Sequence, residues 1–459
     1  MLRSELSIIF NAKSIAVIGA SPNISKIGGM VLDRLIKAGF KGKIYPVNPK
    51  YNEIRGLKAY HSVREIKEKV DLAVIAVPAK AVIGVIDELG EKNINVAVIL
   101  SAGFSESGNK RLEEELLAHA RKNNVRVIGP NCAGISIPHI GLHASFEELF
   151  RPGNIALLGQ SGAYLTALAA VLSERGVGVS AFLSLGNRVD VTEEELLREL
   201  SYHDETKVVA LYIEGLRREQ GRRLIFEGRK IVGSKPVVVH KAGQTEAGAR
   251  AALSHTGSLA GSIELYLAAF KQAGFIVVDD LDLMADTVEA LAWNNNLPDP
   301  EKPPVILTNS GGHGVTIADH LERLGVRVPP LPEKLKNKVK SELPPHASVS
   351  NPIDMLAEGN EEKYEKLLSI LLEDASTGSI IVIHNPPPLV NAKNIARVIV
   401  DVWNKYNREK PLVAFLAGFN VTDAIRVLRE NKVPVASTHR GTAYAVKALY
   451  EYARIRKQF

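Results

Sequence analysis

The stretch SIAVIGASPNISKIGGMVLDRLIKAG, residues 14–39, decides the fold. It opens on an apolar, partly β-branched run, SIAVIGA (14–20), passes through a turn of small residues, and ends in GGMVLDRLIKAG (28–39), where apolar side chains recur at helical spacing. A strand apolar on both faces followed by an amphipathic helix is half of a βαβ unit. The same rhythm returns at KIYPVNP (43–49), DLAVIAVP (71–78), VAVILSAG (96–103) and VRVIGPN (125–131), with helical stretches between them. Such alternation predicts a parallel sheet covered on both faces.

The segment PHIGLHASFEELFRPG (138–153) breaks the rhythm and reads as a connection. A second set of strands then follows at 154–159, 179–186, 207–215, 236–240 and 275–280. The polar, proline-rich tract NNNLPDPEKPP (294–304) reads as a linker. A third set begins with VILTNSGGHG (305–314) and includes SIIVIHN (379–385), PLVAFLAG (411–418) and VPVAS (433–437). No short-period repeat is present, which excludes a solenoid. The expectation is an α/β chain of three consecutive doubly wound domains, at 1–135, 145–295 and 302–459.

Composition narrows the function classes. The chain has 459 residues, 46% hydrophobic and 24% charged, which is ordinary for a globular protein. The opening MLRSELSIIFNAKS lacks the apolar core of a secretion signal, and no apolar run is long enough to span a bilayer. The single cysteine, Cys132, allows no internal disulfide and suits the cytoplasm. The net charge of +6 is spread over amphipathic helices, without a basic stripe interleaved with aromatics, so nucleic acid is not an expected partner. No spacing of His, Cys and Asp matches a metal site.

Ligands of open parallel sheets sit beyond the carboxyl ends of strands. Three turns there are rich in small residues. The first, GASPNISKIGG (19–29), lacks the glycine spacing of a dinucleotide fingerprint, and the next strand ends Val47-Asn48-Pro49 without a ribose-binding acid. That disfavours NAD and leaves another phosphate-bearing ligand, with Ser21, Ser25, Lys26 and the backbone near Gly28 as contacts. The others are GQSGAY (159–164) and NSGGHGV (309–315), each leading a strand into a helix whose positive end suits an anion. No P-loop pattern is present.

The loop KAGQTEAGARAALSHTGSLAG (241–261) holds His255 among Ser254, Thr256 and Gly257, small enough to let a ligand approach. A neutral imidazole is a nucleophile near neutral pH when a carboxylate ties down one ring nitrogen. Glu214, ending the strand VVALYIEG, is the candidate; His240 and His313 are weaker alternatives to His255.

Together GASPNISKIGG, IGPNCAG (128–134), LLGQSGAY, LYIEG, LSHTGSLAGS and FKQAGFIVVDDLDLMADTVEAL (270–291) resemble the α subunit of ADP-forming (NDP-forming) acetyl-CoA synthetase, in the succinyl-CoA synthetase superfamily. The likeness runs over essentially the whole chain, through TNSGGHGV and NPIDM (351–355). It implies an N-terminal Rossmann-like CoA-binding domain followed by two flavodoxin-like ligase domains. It assigns CoA contacts to Gly19, Ala20, Ser21, Pro22, Lys26 and Gly28, to Val47, Asn48 and Pro49, to Pro78 and Lys80, and to Ser101, Ala102 and Gly103. The phosphorylated histidine falls on His255 and its orienting glutamate on Glu214; phosphate-binding helix starts fall on Ser161, Gly162 and Ala163 and on Ser310, Gly311 and Gly312.

The implied reaction interconverts acyl-CoA, phosphate and ADP with acid, CoA and ATP through an acyl phosphate and a phosphohistidine, with acetyl-CoA the default substrate. The resemblance also implies a β subunit carrying an ATP-grasp unit that binds ADP or ATP with Mg, in an α2β2 heterotetramer. The rival reading is a non-catalytic module that binds or senses CoA or acyl-CoA, in which His255 is idle.

Overall fold

The computed structural model describes residues 4–217, 219–250, 262–388 and 390–458. The predicted histidine, His255, lies outside the described residues. The chain divides into two compact units, one of residues 1–173 and 177–277, the other of residues 174–176 and 278–459.

In the first unit, β1 (Ser14–Ile18), β2 (Lys43–Val47), β5 (Leu72–Ile75), β6 (Val96–Ile99) and β7 (Arg126–Ile128) form a five-stranded sheet in the order β2-β1-β5-β6-β7. Every pairing is parallel. β1 is buried throughout, as its unbroken apolar run requires. The helices Ile27–Lys37, Ala79–Glu91 and Lys110–Lys122 provide the crossovers. A small antiparallel hairpin, β3 (Glu53–Ile54) with β4 (Leu57–Lys58), follows β2 and was too short to register in the sequence pattern.

The second sheet has seven strands in the order β14-β13-β12-β10-β11-β8-β9. Its parallel part is β10 (Pro152–Gly159), β11 (Val179–Ser184), β12 (Val208–Ile213) and β13 (Val237–Lys241). β14 (Ile276–Val278) closes one side. The other side corrects the sequence reading. The supposed connection contains β9 (Leu142–Ser145), which pairs antiparallel with β8 (Gly134–Ile137), and β8 pairs antiparallel with β11. Each is four residues long and buried, with Gly141 turning at φ 68° after His139 and Ile140. Runs this short carry no periodicity that distinguishes them from loop.

The second unit holds the third sheet, β16-β17-β15-β18-β19, with β15 (Pro304–Thr308), β18 (Ser379–His384) and β19 (Leu412–Leu416) parallel. The short β16 (Ser348–Val349) and β17 (Ile353–Asp354) complete it. The expected strand at 433–437 is reduced to one parallel bridge, Ala414↔Val435, beside Pro434, which has no N–H to give to a ladder. The architecture is mixed α/β, with a parallel core in each of the three large sheets and antiparallel strands at one edge of the second and third, a Rossmann-like region followed by two flavodoxin-like ones.

Candidate functional site

In the first sheet the predicted contacts gather at the carboxyl ends of adjacent strands. Gly19 turns at φ +88°, and a Cβ on Gly28 would lie 2.0 Å from the Gly19 carbonyl oxygen. Only glycine at both positions lets the helix Ile27–Lys37 start so close to the strand. Asn48, where a ribose-binding acid is absent, donates from Nδ2 to the Ala20 carbonyl at 2.7 Å and so ties the ends of β1 and β2 together. Ser21 is buried, its hydroxyl accepting the Asn23 N–H at 3.1 Å, and Ser101 donates to the Val77 carbonyl at 2.5 Å just before Pro78. These two hydroxyls hold turns. Pro22, Lys26, Pro49, Pro78, Lys80 and Ala102 are the exposed members of the set, so the two ammonium groups stand at the open edge of the turns. Gly103 donates its N–H to Glu106. Burial pushes the Glu106 carboxyl up, but hydrogen bonds from Asn187 and from the Gly103 and Phe104 N–H groups outweigh it and hold the group below the usual range.

In the second sheet β10 ends at Gly159 and the helix Gly162–Glu174 begins two residues after Gln160. A Cβ on Gly162 would come within 2.6 Å of the Ala133 Cβ, so the helix start is packed against the turn that leads into β8. Ser161 accepts the Tyr164 N–H at 3.3 Å. Gln160 reaches sideways. Its Oε1 accepts the N–H groups of Glu214 (3.0 Å) and Gly215 (3.1 Å), and its Nε2 donates to the Gly215 carbonyl (2.8 Å) and to Glu193 (2.5 Å). Arg188 completes a buried network, donating to Glu193 (2.9 Å), to the Gly215 carbonyl (2.7 Å) and to Gln220 (3.0 Å). Glu214, 8% exposed, is therefore held by its backbone at the carboxyl end of β12. Tyr212 stacks on Tyr164 at 4.0 Å, and burial together with the Glu214 carboxylate raises the Tyr212 phenol. His240 contacts the Tyr164 hydroxyl through Nδ1 at 2.8 Å and packs with Tyr164 and Tyr212 in one aromatic cluster.

In the second unit Ser310 immediately precedes the helix Gly311–Arg323, and its side chain makes no capping hydrogen bond to it. Asn309 clamps the backbone of Asn385, donating to its carbonyl at 2.8 Å and accepting its N–H at 2.9 Å. Gly312 faces open space, whereas a Cβ on Gly311 would lie 2.6 Å from Asp354 Oδ2. His313 meets His439 across 2.8 Å, Nδ1 to Nε2.

Sequence reasoning selected Ser161–Ala163 from GQSGAY and passed over Gln160, the residue beside it. It also passed over Arg188, Glu193 and Asp354, because nothing in their local patterns distinguishes them from surface charges. Among the described residues no group of three or more His, Cys, Asp or Glu side chains is placed to hold a metal, and no helix is long and apolar enough to cross a membrane.

Family models match along the chain: a CoA binding domain at residues 13–138, a succinyl-CoA ligase like flavodoxin domain at 152–291, and a ligase-CoA domain at 304–459. The α subunit of acetate–CoA ligase (ADP-forming) II from Pyrococcus furiosus is 40% identical over 458 residues, covering 98% of each chain. The chain belongs to the ADP-forming acetate–CoA ligase family. Within that family, the acetate–CoA ligase (ADP-forming) of Methanocaldococcus jannaschii is 38% identical, and the alignment covers 98% of this chain and 63% of that one. The solved Candidatus Korarchaeum cryptofilum dinucleotide-forming acetyl-coenzyme A synthetase 1, in complex with phosphate and ADP, superposes with a TM-score of 0.94 at 37% identity, covering 98% and 97% of the two chains. The ligase family's CoA-binding region thus falls on the first sheet, where the glycine-enforced turn and the exposed lysines lie.

Proposed function

We propose that the chain is the α subunit of an ADP-forming acetate–CoA ligase, interconverting acetyl-CoA, phosphate and ADP with acetate, CoA and ATP. The observation that carries this reading is end-to-end similarity to an α subunit of that name, 40% identical over 98% of each chain. Geometry supports the assignment of roles. CoA lies along the carboxyl ends of the first sheet, with its phosphates near Lys26 and Lys80 and its body against Gly19–Pro22, Val47–Pro49, Pro78 and Ser101–Gly103. Each of the helix starts Ser161–Ala163 and Ser310–Gly312 serves as a phosphate-binding element.

One phosphate oxygen attacks the acyl carbonyl; the C–S bond breaks, CoA leaves as thiolate and takes up a proton. The acetyl phosphate then gives its phosphoryl group to His255. Its P–O bond breaks, and acetate departs with the bridging oxygen. Glu214 stabilises the charge gathering on the imidazole, and its fixed backbone means little reorganisation is needed at that moment. A β-phosphate oxygen of ADP finally takes the phosphoryl group from His255. The ATP-grasp β subunit binds the nucleotide with its Mg in a cytoplasmic α2β2 assembly.

The test is mass spectrometry of the chain after incubation with acetyl-CoA and phosphate, with and without the β subunit, beside His255→Asn and Glu214→Gln. The expected result is an acid-labile phosphoryl group on His255, absent from the Asn variant and formed at least about 100-fold more slowly in the Gln variant. CoA binding with no phosphoryl group even with the partner present would replace this reading by the non-catalytic module.

A further inference from the structure

Lys241, the last residue of β13, is only 2% exposed. Burying an ammonium group costs several kcal/mol unless its protons are satisfied. Here Nζ donates to the Glu214 carbonyl at 2.8 Å and to the Ala242 carbonyl, and it lies 4.6 Å from the centre of the Tyr266 ring. Burial lowers the Lys241 ammonium from its usual value, and the Glu214 charge works against that. Tyr266, on the helix Ile263–Ala273, is itself buried, and its hydroxyl accepts the Leu216 N–H at 2.8 Å.

Two side chains therefore tie the end of β13 and the helix Ile263–Ala273 to one turn, 214–216. Gln160 holds the same turn through the Glu214 and Gly215 N–H groups. Filling the space alone would not call for a lysine: an apolar side chain of similar volume does that without the desolvation cost. What an apolar side chain lacks is the positive charge beside Glu214.

We infer that Lys241 and Tyr266 are positioning residues for Glu214, Lys241 also supplying a buried positive charge that lets this carboxylate work beside an anionic phosphoryl group. The inference rests on the roles proposed above for Glu214 and His255. The two side chains act through the turn and not on the reacting atoms. Both also flank the sequence 242–262, so the strand entering it and the helix leaving it share one anchor with Glu214.

The test uses the enzyme assembled with its nucleotide-binding subunit and follows single-turnover phosphorylation of His255 from acetyl-CoA and phosphate. Lys241→Met removes the charge at similar volume. Tyr266→Phe removes one oxygen and keeps the ring beneath Lys241, so it remains informative if the first variant folds poorly. Phosphorylation should slow about 100-fold in Lys241→Met and about 10-fold in Tyr266→Phe, with half-saturating phosphate and acetyl-CoA within about twofold of wild type. The double variant should slow by less than the product, since both act on one turn. Variants with lowered Tm but wild-type rates well below it would make the contacts structural and overturn the inference. An unmodified His255 in the wild-type control would instead overturn the function reading, and this inference with it.

Discussion

The two small-residue helix starts, Gln160-Ser161-Gly162 in the first unit and Asn309-Ser310-Gly311 in the second, have nearly the same sequence and different surroundings. Each follows the end of a parallel strand, and each has an amide side chain holding a neighbouring turn. At Gln160 the amide joins a buried ionic pair, Arg188 with Glu193, to the backbone of Glu214. At Asn309 the clamp is neutral and reaches only the Asn385 backbone. A strand, a serine and a glycine make a place for an anion; what is buried behind them decides whether that place is coupled to a chemical group.

The largest test of that difference removes the partner of a buried charge. Arg188→Met leaves Glu193 buried without its cation and should cost about 3–5 kcal/mol of unfolding free energy. Asn309→Ala strands one backbone N–H and one carbonyl and should cost about 1–3 kcal/mol. Denaturant titration compares them, and equal costs would break the distinction.

Acid should act on both units through buried histidines. In the first, His143 meets Ser136 Oγ at 2.9 Å and the Glu147 carbonyl at 3.0 Å; in the second, His384 meets the Tyr364 hydroxyl at 3.1 Å. Burial lowers each to about 4. The unfolded chain, titrating near 6.5, then binds protons that the folded chain refuses, so stability is full above that pH and is lost on acidification toward 4. From pH 6.5 to 5 each histidine should remove about 2 kcal/mol. His143→Gln should flatten the pH dependence of the first unit's unfolding and leave the second unit's slope unchanged.

The smallest effect separates the glycines. Gly162→Ala drives a methyl into Ala133 and should cost about 1–2 kcal/mol. Gly312→Ala enters open space on a helix and should be neutral or stabilising by a few tenths of a kcal/mol. A fall in activity there without a fall in Tm would mark Gly312 as a place of close approach to phosphate.

The sequence carried the parallel sheets plainly, because strands such as Ser14–Ile18 and Val96–Ile99 are apolar on both faces and helices separate them. It also set Gly19, Gly28, Ser161 and Ser310 where strands give way to helices, and the structure has them there. It did not reveal β8 and β9, which are too short for any period, nor the stub left at 433–437. Nor did it reveal what holds Glu214. Gln160 and Glu193 are 33 positions apart, and Glu214 lies 54 beyond Gln160. Contacts over that range exist only once the sheet has formed, and isolated Gln, Arg and Glu residues look like surface until it does.

The most direct test of the chemistry follows oxygen. With phosphate labelled by 18O at all four positions, the assembled enzyme should convert acetyl-CoA and ADP to acetate carrying one label and ATP carrying three in its γ-phosphoryl group. That distribution follows from phosphate attacking the acyl carbon and leaving its bridging oxygen behind. Unlabelled acetate formed alongside ATP would contradict the acyl phosphate and, with it, the route through His255.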